Sequence, residues 1–263
     1  MAKHIPGPLY YEQFGATGTP MIFCHSTPDD HRLWMFQTAH FSPWYRCLAV
    51  DLAGYGRSPA PQKGLTIADM ADACWEVVDK VTSGGAIIHG NSLGSRVAQY
   101  MAATQPKRTI ALILSGIGFG TSDNMKRWAA RYRDEGLALR QRQVIEHFAP
   151  ELQSNPLLQH YAKMVCALSN VGTLESIITV NEALALHYPP DLLAKITSPT
   201  LIIAGTKDFS FATVHQHDTH MPGSTLKTIE GAGHGVPIEA PEQYDQACVE
   251  FLTRLGLHPG PTV

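Results

Sequence analysis

The stretch Ala86-Ile87-Ile88-His89-Gly90-Asn91-Ser92-Leu93-Gly94-Ser95-Arg96-Val97-Ala98-Gln99-Tyr100-Met101 decides how this chain is read. Its apolar opening has the character of a buried strand and its end that of a helix, with a G-x-S-x-G turn, Gly90 to Gly94, between them. A serine on such a turn projects its hydroxyl above the edge of a sheet. Side chains two residues to either side would crowd the bend, which is why glycines flank it. The helix that follows aims its positive end at the serine and favours negative charge developing there. Ser92 is therefore the candidate nucleophile, against the plainer alternative of a surface serine in a Gly-rich turn.

The same alternation of short apolar runs and longer helical stretches extends in both directions, as expected of a mostly parallel sheet with helices on its faces. Strands are predicted over 9–14, 21–24, 47–51, 86–89, 110–115, 200–204 and 225–229. Several lack polar alternation, the pattern of strands covered on both sides. Helices are predicted over 30–38, 66–81, 94–103 and 242–255, and Thr66 with Asp69 three residues on reads as an N-cap. From 121 to 190 the rhythm changes to helices alone, over 124–135, 137–148, 157–168 and 174–186, broken by Pro150, Pro156 and Gly172. The expectation is an α/β core formed by 1–120 and 191–263, with 121–190 inserted as a helical cap.

A serine hydroxyl needs a base from another loop at the same sheet edge. Among 13 histidines, His234 stands out. It sits in Ile229-Glu230-Gly231-Ala232-Gly233-His234-Gly235, where glycines after a strand let an imidazole approach closely. With this motif the acid falls between serine and histidine in the chain. Leu201-Ile202-Ile203-Ala204-Gly205-Thr206-Lys207-Asp208 is a strand running into a loop that ends in a carboxylate. Asp208 is thus the candidate that orients His234 and stabilises its imidazolium, although a helix-capping aspartate would look similar.

Together these segments resemble the α/β-hydrolase superfamily over nearly the whole chain, about 9–255. The resemblance also rests on Phe23-Cys24-His25-Ser26-Thr27-Pro28 followed by Trp34, and on Asp51-Leu52-Ala53-Gly54-Tyr55-Gly56-Arg57-Ser58. It implies a mostly parallel sheet flanked by helices with a cap inserted after the sixth strand. It implies a Ser92–Asp208–His234 triad, and oxyanion-hole N–H groups from Thr27 and Leu93. It also implies an architectural role for Asp51. Ser26 stands where the family commonly has glycine, and would be strained if that position needs positive φ. Asn91, where histidine is frequent, resembles hydrolases that cleave carbon–carbon bonds in aromatic ring-fission products. Gly235 departs from that subgroup, and the layout looks at least as much like enol-lactonases and small carboxylesterases.

What the resemblance implies is a serine esterase or lactonase acting on a small molecule through an acyl-enzyme. The alternatives are a C–C bond hydrolase and a non-catalytic receptor of the same fold. Ser26, Trp34, Asn91, Trp128 and Phe148 are candidate pocket residues, with further apolar side chains in the inserted segment at Tyr132, Leu158, Tyr161 and Met164. Arg127, Arg131, Arg140 and Arg142 read as solvated helix arginines.

Composition narrows the remaining classes. The chain has 263 residues, 44% of them hydrophobic and 16% charged, an ordinary globular balance. Twenty Lys+Arg against 23 Asp+Glu, with no basic block, argues against a nucleic-acid partner. Five scattered cysteines without a C-x-x-C pair point to a reducing compartment. No signal-peptide pattern opens the sequence and no apolar run could span a bilayer, so a cytoplasmic monomer or homodimer with no membrane partner is expected. No G-x-G-x-x-G occurs and no cofactor is implied. His215, His217 and His220 look superficially like metal ligands but have no acidic partner at suitable spacing, so no metal is expected.

Overall fold

The computed structural model describes residues 3–117, 123–168, 173–186, 189 and 191–258. Seven strands run in chain order as β1 (Tyr11–Phe14), β2 (Pro20–Cys24), β3 (Arg46–Val50), β4 (Ala86–Asn91), β5 (Thr109–Ser115), β6 (Thr200–Gly205) and β7 (Thr225–Ile229). They form one sheet in the order β1-β3-β2-β4-β5-β6-β7. Among the described strands only β1, at the edge, is antiparallel to its neighbour; the other pairs are parallel.

The core explains why the central strands read as continuous apolar runs. Ile22, Leu48, Ile88, Leu112 and Ile202 face one side, where they join Met70 and Trp75 of α2 (Ile67–Asp79) and Val97 and Met101 of α3 (Leu93–Thr104). Met21, Cys47, Ile87, Ile113 and Leu201 face the other side. There they meet Phe41 of α1 (Met35–Phe41) and Tyr244, Phe251 and Leu252 of the last helix (Pro241–Arg254). Both faces being covered, neither needs polar side chains. The predicted cap of α2 forms as a full capping box: Asp69 N–H donates to Thr66 Oγ1 at 3.1 Å, and Thr66 N–H to Asp69 Oδ2 at 2.9 Å.

Among the described residues between β5 and β6 lie the α-helices α4 (Asp123–Glu135), α5 (Leu139–Glu146), α6 (Pro156–Leu168) and α7 (Leu174–Leu184). The insertion thus follows the fifth strand of this sheet, one earlier in the count than the family pattern suggested. The proposed boundary residues 120, 121 and 190 lie outside the described residues. The inserted helices share the core rather than building their own: Ile177 and Val180 join the first cluster, Val144, Leu158 and Tyr161 the second. The short helices α8 (Phe211–Val214) and α9 (His217–His220) follow β6; α10 (Val236–Glu239) and α11 (Pro241–Arg254) follow β7. The helix predicted over 30–38 is instead a 3-10 turn, His31–Trp34, running into α1. Among the described residues no helix is long and apolar enough to cross a membrane.

Candidate active site

Ser92 stands at the junction of β4 and α3 with φ 54° and ψ −112°, and it alone among the described non-glycine residues has positive φ. The conformation is disfavoured for an L-residue and persists only where its surroundings over-determine it. Those surroundings are visible. Ser92 N–H donates to Ser115 O at 2.9 Å, and Ser95 Oγ donates to Gly90 O and Ser115 O at 2.9 and 2.7 Å. A Cβ on Gly90 would collide with the Gly94 carbonyl, and one on Gly94 with the carbonyl of Cys24. The glycine spacing read from sequence is therefore a packing requirement, and it seats the turn against the 24–27 segment.

His25 fixes that segment. Its Nε2 accepts the Leu52 N–H at 2.9 Å, which leaves Nδ1 to donate to Ser26 O at 2.7 Å. Thr27 Oγ1 lies 2.5 Å from Tyr55 OH. Ser26 does not adopt positive φ, so serine in place of the family's glycine brings no backbone strain. Leu93 is the first residue of α3, in the turn whose N–H groups have no intrahelical acceptor.

His234 and Asp208 meet as the chain order suggested. Nδ1 of His234 lies 3.0 Å from each carboxylate oxygen of Asp208, both side chains are buried, and Ser210 N–H adds a 2.8 Å bond to Oδ1. Burial opposes ionisation of Asp208, but the charge and hydrogen bond of His234 and the Ser210 N–H outweigh it and hold the carboxyl below its ordinary range. Gly116, just after β5 with φ 57°, locates this pair relative to the serine. A Cβ there would lie 3.0 Å from Asn91 Oδ1 and 3.1 Å from His234 Cε1, so the imidazole comes up beside the residue that precedes Ser92.

Several neighbours had no signal in the sequence. Glu239 Oε2 accepts the N–H groups of Gly233 and Ala149 at 2.8 and 2.9 Å, and Oε1 that of Gly235 at 2.8 Å, so one carboxylate grips both sides of His234. Burial nonetheless raises the Glu239 pKa above its ordinary value, against the pull of those N–H groups. His147 O accepts His234 N–H at 2.9 Å, and Phe209 stacks on the His234 ring at 4.3 Å. The run Pro237-Ile238-Glu239-Ala240-Pro241 was visible, but nothing in it says where a carboxylate will point.

Most of the expected pocket residues have little or no exposed surface. Trp34 is fully buried among Phe23, His89 and Tyr244 and belongs to the core. Asn91 is also fully buried, its Oδ1 accepting Ser115 Oγ–H at 2.7 Å. Ser26 and Phe148 are almost wholly closed off, Ser26 donating to Thr27 O at 3.1 Å and Phe148 packing near Tyr161. Trp128 keeps an accessible face. Arg140, expected to be solvated, is buried and donates twice to Pro28 O at 3.0 and 2.8 Å, tying α5 to the 24–28 segment.

Asp51 is architectural: its Oδ1 binds His31 N–H and Nδ1 at 2.9 and 2.7 Å, its Oδ2 Arg57 N–H at 2.8 Å. With Asp30 these form the one metal-like grouping among the described residues, but Asp30 is held by Arg32. His215 and His220 lie exposed, and the His217 side chain is outside the described set.

A serine on a strained strand–helix turn, and a carboxylate-bound imidazole that comes up beside the residue preceding it on a mostly parallel sheet, fit an enzyme architecture of the hydrolase type. Residues 21–247 match the Alpha/beta hydrolase family, and the chain belongs to it. The AB hydrolase superfamily protein YisY of Bacillus subtilis is 29% identical, with 92% of this chain and 94% of that protein covered. A 3-oxoadipate enol-lactonase 2 of Acinetobacter baylyi is 26% identical, with 94% of each covered. Among solved structures, the enol-lactonase from Burkholderia xenovorans LB400 superposes with a TM-score of 0.85 at 22% identity, covering 95% of this chain and 98% of that one. The chain is similar to these proteins in fold and layout.

Proposed function

We propose that this protein hydrolyses small carboxylic esters or lactones, with Ser92 as nucleophile, His234 as general base and acid, and Asp208 as the group that orients and charges the imidazole. The observation that carries the reading is the buried Asp208–His234 pair, Nδ1 held at 3.0 Å by both carboxylate oxygens. A solvent-exposed capping aspartate has no need of such a partner. The strained backbone of Ser92 supports it, as does the layout shared with enol-lactonase relatives.

In the proposed cycle His234 takes the Ser92 proton as Oγ attacks the carbonyl carbon, and the N–H groups of Leu93 and Thr27 hold the oxyanion. The tetrahedral adduct collapses to an acyl-serine, and His234 passes its proton to the leaving oxygen. A water then repeats the sequence and releases the acid and free Ser92. The inserted 121–190 segment serves as a lid over the core formed by 1–120 and 191–263, with Trp128 at the pocket wall.

A fluorophosphonate probe tests the reading. Covalent labelling of wild type, lost in Ser92→Ala together with hydrolysis of p-nitrophenyl esters and enol-lactones, is expected. Undiminished hydrolysis by the Ser92→Ala protein would overturn it, and absence of any adduct on folded wild type would favour a non-catalytic binding role.

A further inference from the structure

The rings around His234 include one that the proposed cycle does not use. His147, from the turn that ends α5, lies with its ring 5.0 Å from that of His234, 5.7 Å from Trp128 and 5.8 Å from Phe209. It is buried, yet among the described residues its ring nitrogens have no hydrogen-bond partner, while its carbonyl is engaged by His234 N–H. Neither nitrogen is fully enclosed, so both stay accessible to a polar group from outside the chain, close to the chemistry.

Its place indicates which part of a substrate would supply that partner. In acyl transfer the imidazole of His234 hands a proton to the leaving oxygen, so the leaving group lies against that ring. Around that ring stand Phe209, stacked on one face and half-exposed, His147 at 5.0 Å, and Trp128 5.7 Å beyond His147. Aromatic neighbours of this kind suit a planar or conjugated leaving group.

We propose that His147 is a specificity-determining residue that hydrogen-bonds an oxygen substituent on the leaving group, so that the preferred substrates are esters of enols or phenols carrying a second oxygen function. The inference rests on the esterase or lactonase reading above. Burial, followed by the nearby charge of His234, pushes the His147 pKa down to about 3. The ring is then neutral imidazole at working pH, one nitrogen donating and one accepting, and suits a hydroxyl or carbonyl oxygen better than a carboxylate.

The test compares the monoacetates of catechol, resorcinol and hydroquinone with the matching cresyl acetates, which share the acyl group and offer methyl for hydroxyl. Wild type should favour at least one hydroxyaryl acetate over its cresyl partner by about tenfold in kcat/KM, the scale of one satisfied hydrogen bond. His147→Phe should cut that ratio about tenfold, and His147→Gln, which keeps an N–H donor, should recover part of it. Wild-type ratios near one for all three pairs, or ratios the same in wild type and His147→Phe, overturn the proposal. Fluorophosphonate labelling separates the two readings. Labelled Ser92 with unchanged ratios removes the role of His147 alone, whereas unlabelled wild type removes the esterase reading beneath it.

Discussion

Glu239, in the core, accepts the backbone N–H of Ala149, in the helical insertion, at 2.9 Å. The same carboxylate binds the N–H groups of Gly233 and Gly235, so the position of the insertion and the position of His234 are set by one side chain. Glu239→Ala leaves three N–H groups without their acceptor and should cost about 2 kcal/mol in urea unfolding. If His234 is the base for Ser92 as proposed, it then loses the grip that fixes its loop, and kcat on a p-nitrophenyl ester should fall about tenfold or more, with KM less affected. Unchanged kcat in a folded Glu239→Ala protein would deny it the positioning role.

Asp29 follows the 24–28 segment and is bonded at 2.9 Å by the Tyr161 hydroxyl of α6. Burial raises its pKa to about 7, against the hydrogen bond from Tyr161 and the charge of Arg140. A raised pKa means that the fold favours the protonated carboxyl. That contribution is fully present below the unfolded value near pH 4 and is lost as pH rises through about 7. Asp29→Asn is neutral throughout and still accepts from Tyr161. Its stability relative to wild type should therefore increase as pH rises from 4 to 8, by an amount on the order of 1–3 kcal/mol. Denaturant melts of both proteins at pH 4, 6 and 8 check the sign, and a gap that does not widen would refute it.

The sheet, the strained turn at Ser92 and the pairing of Asp208 with His234 were legible because each rests on local pattern: apolar runs, glycine spacing, and order along the chain. Gly90 and Gly94 carry their reason within five residues. Edges were read less well. The predicted strand over 9–14 starts only at Tyr11, where pairing with Val50 begins, and no sequence window contains Val50. Side-chain direction was not legible at all. Trp34 and Asn91 sit next to the right loops yet face the core, while Arg140 turns inward because a carbonyl 112 residues away accepts from it. Glu239 and His147 became visible only once distant segments were brought together.

The strained backbone of Ser92 sets stability against function. Ser92→Gly supplies the residue for which φ 54° carries little steric penalty, so unfolding free energy should rise by about 1 kcal/mol while hydrolysis is lost. Ser92→Ala loses hydrolysis too but keeps the strain, and its melting temperature should stay near that of wild type. Equal melting temperatures for the Gly and Ala proteins would mean that the turn is not held under strain.

Gly116 offers the sharpest test of convergence, because a matched control exists elsewhere in the chain. A Cβ at Gly116 would meet Asn91 Oδ1 at 3.0 Å and His234 Cε1 at 3.1 Å, in a backbone with φ 57°. Gly136, at the end of α4, has φ 66° but nothing within 4 Å of the same added atom. Both Gly→Ala changes share the left-handed backbone cost of about 1 kcal/mol. Only Gly116→Ala must also displace the imidazole or the residue behind the nucleophile. Misplacement of reacting groups by about 1 Å can cost about 100-fold in rate, and contacts this close call for a few tenths of that, so kcat should fall about tenfold in Gly116→Ala and stay near wild type in Gly136→Ala. Similar kcat values for the two proteins would place the His234 ring too far from the serine turn for a triad, since the added methyl would then have found room between them.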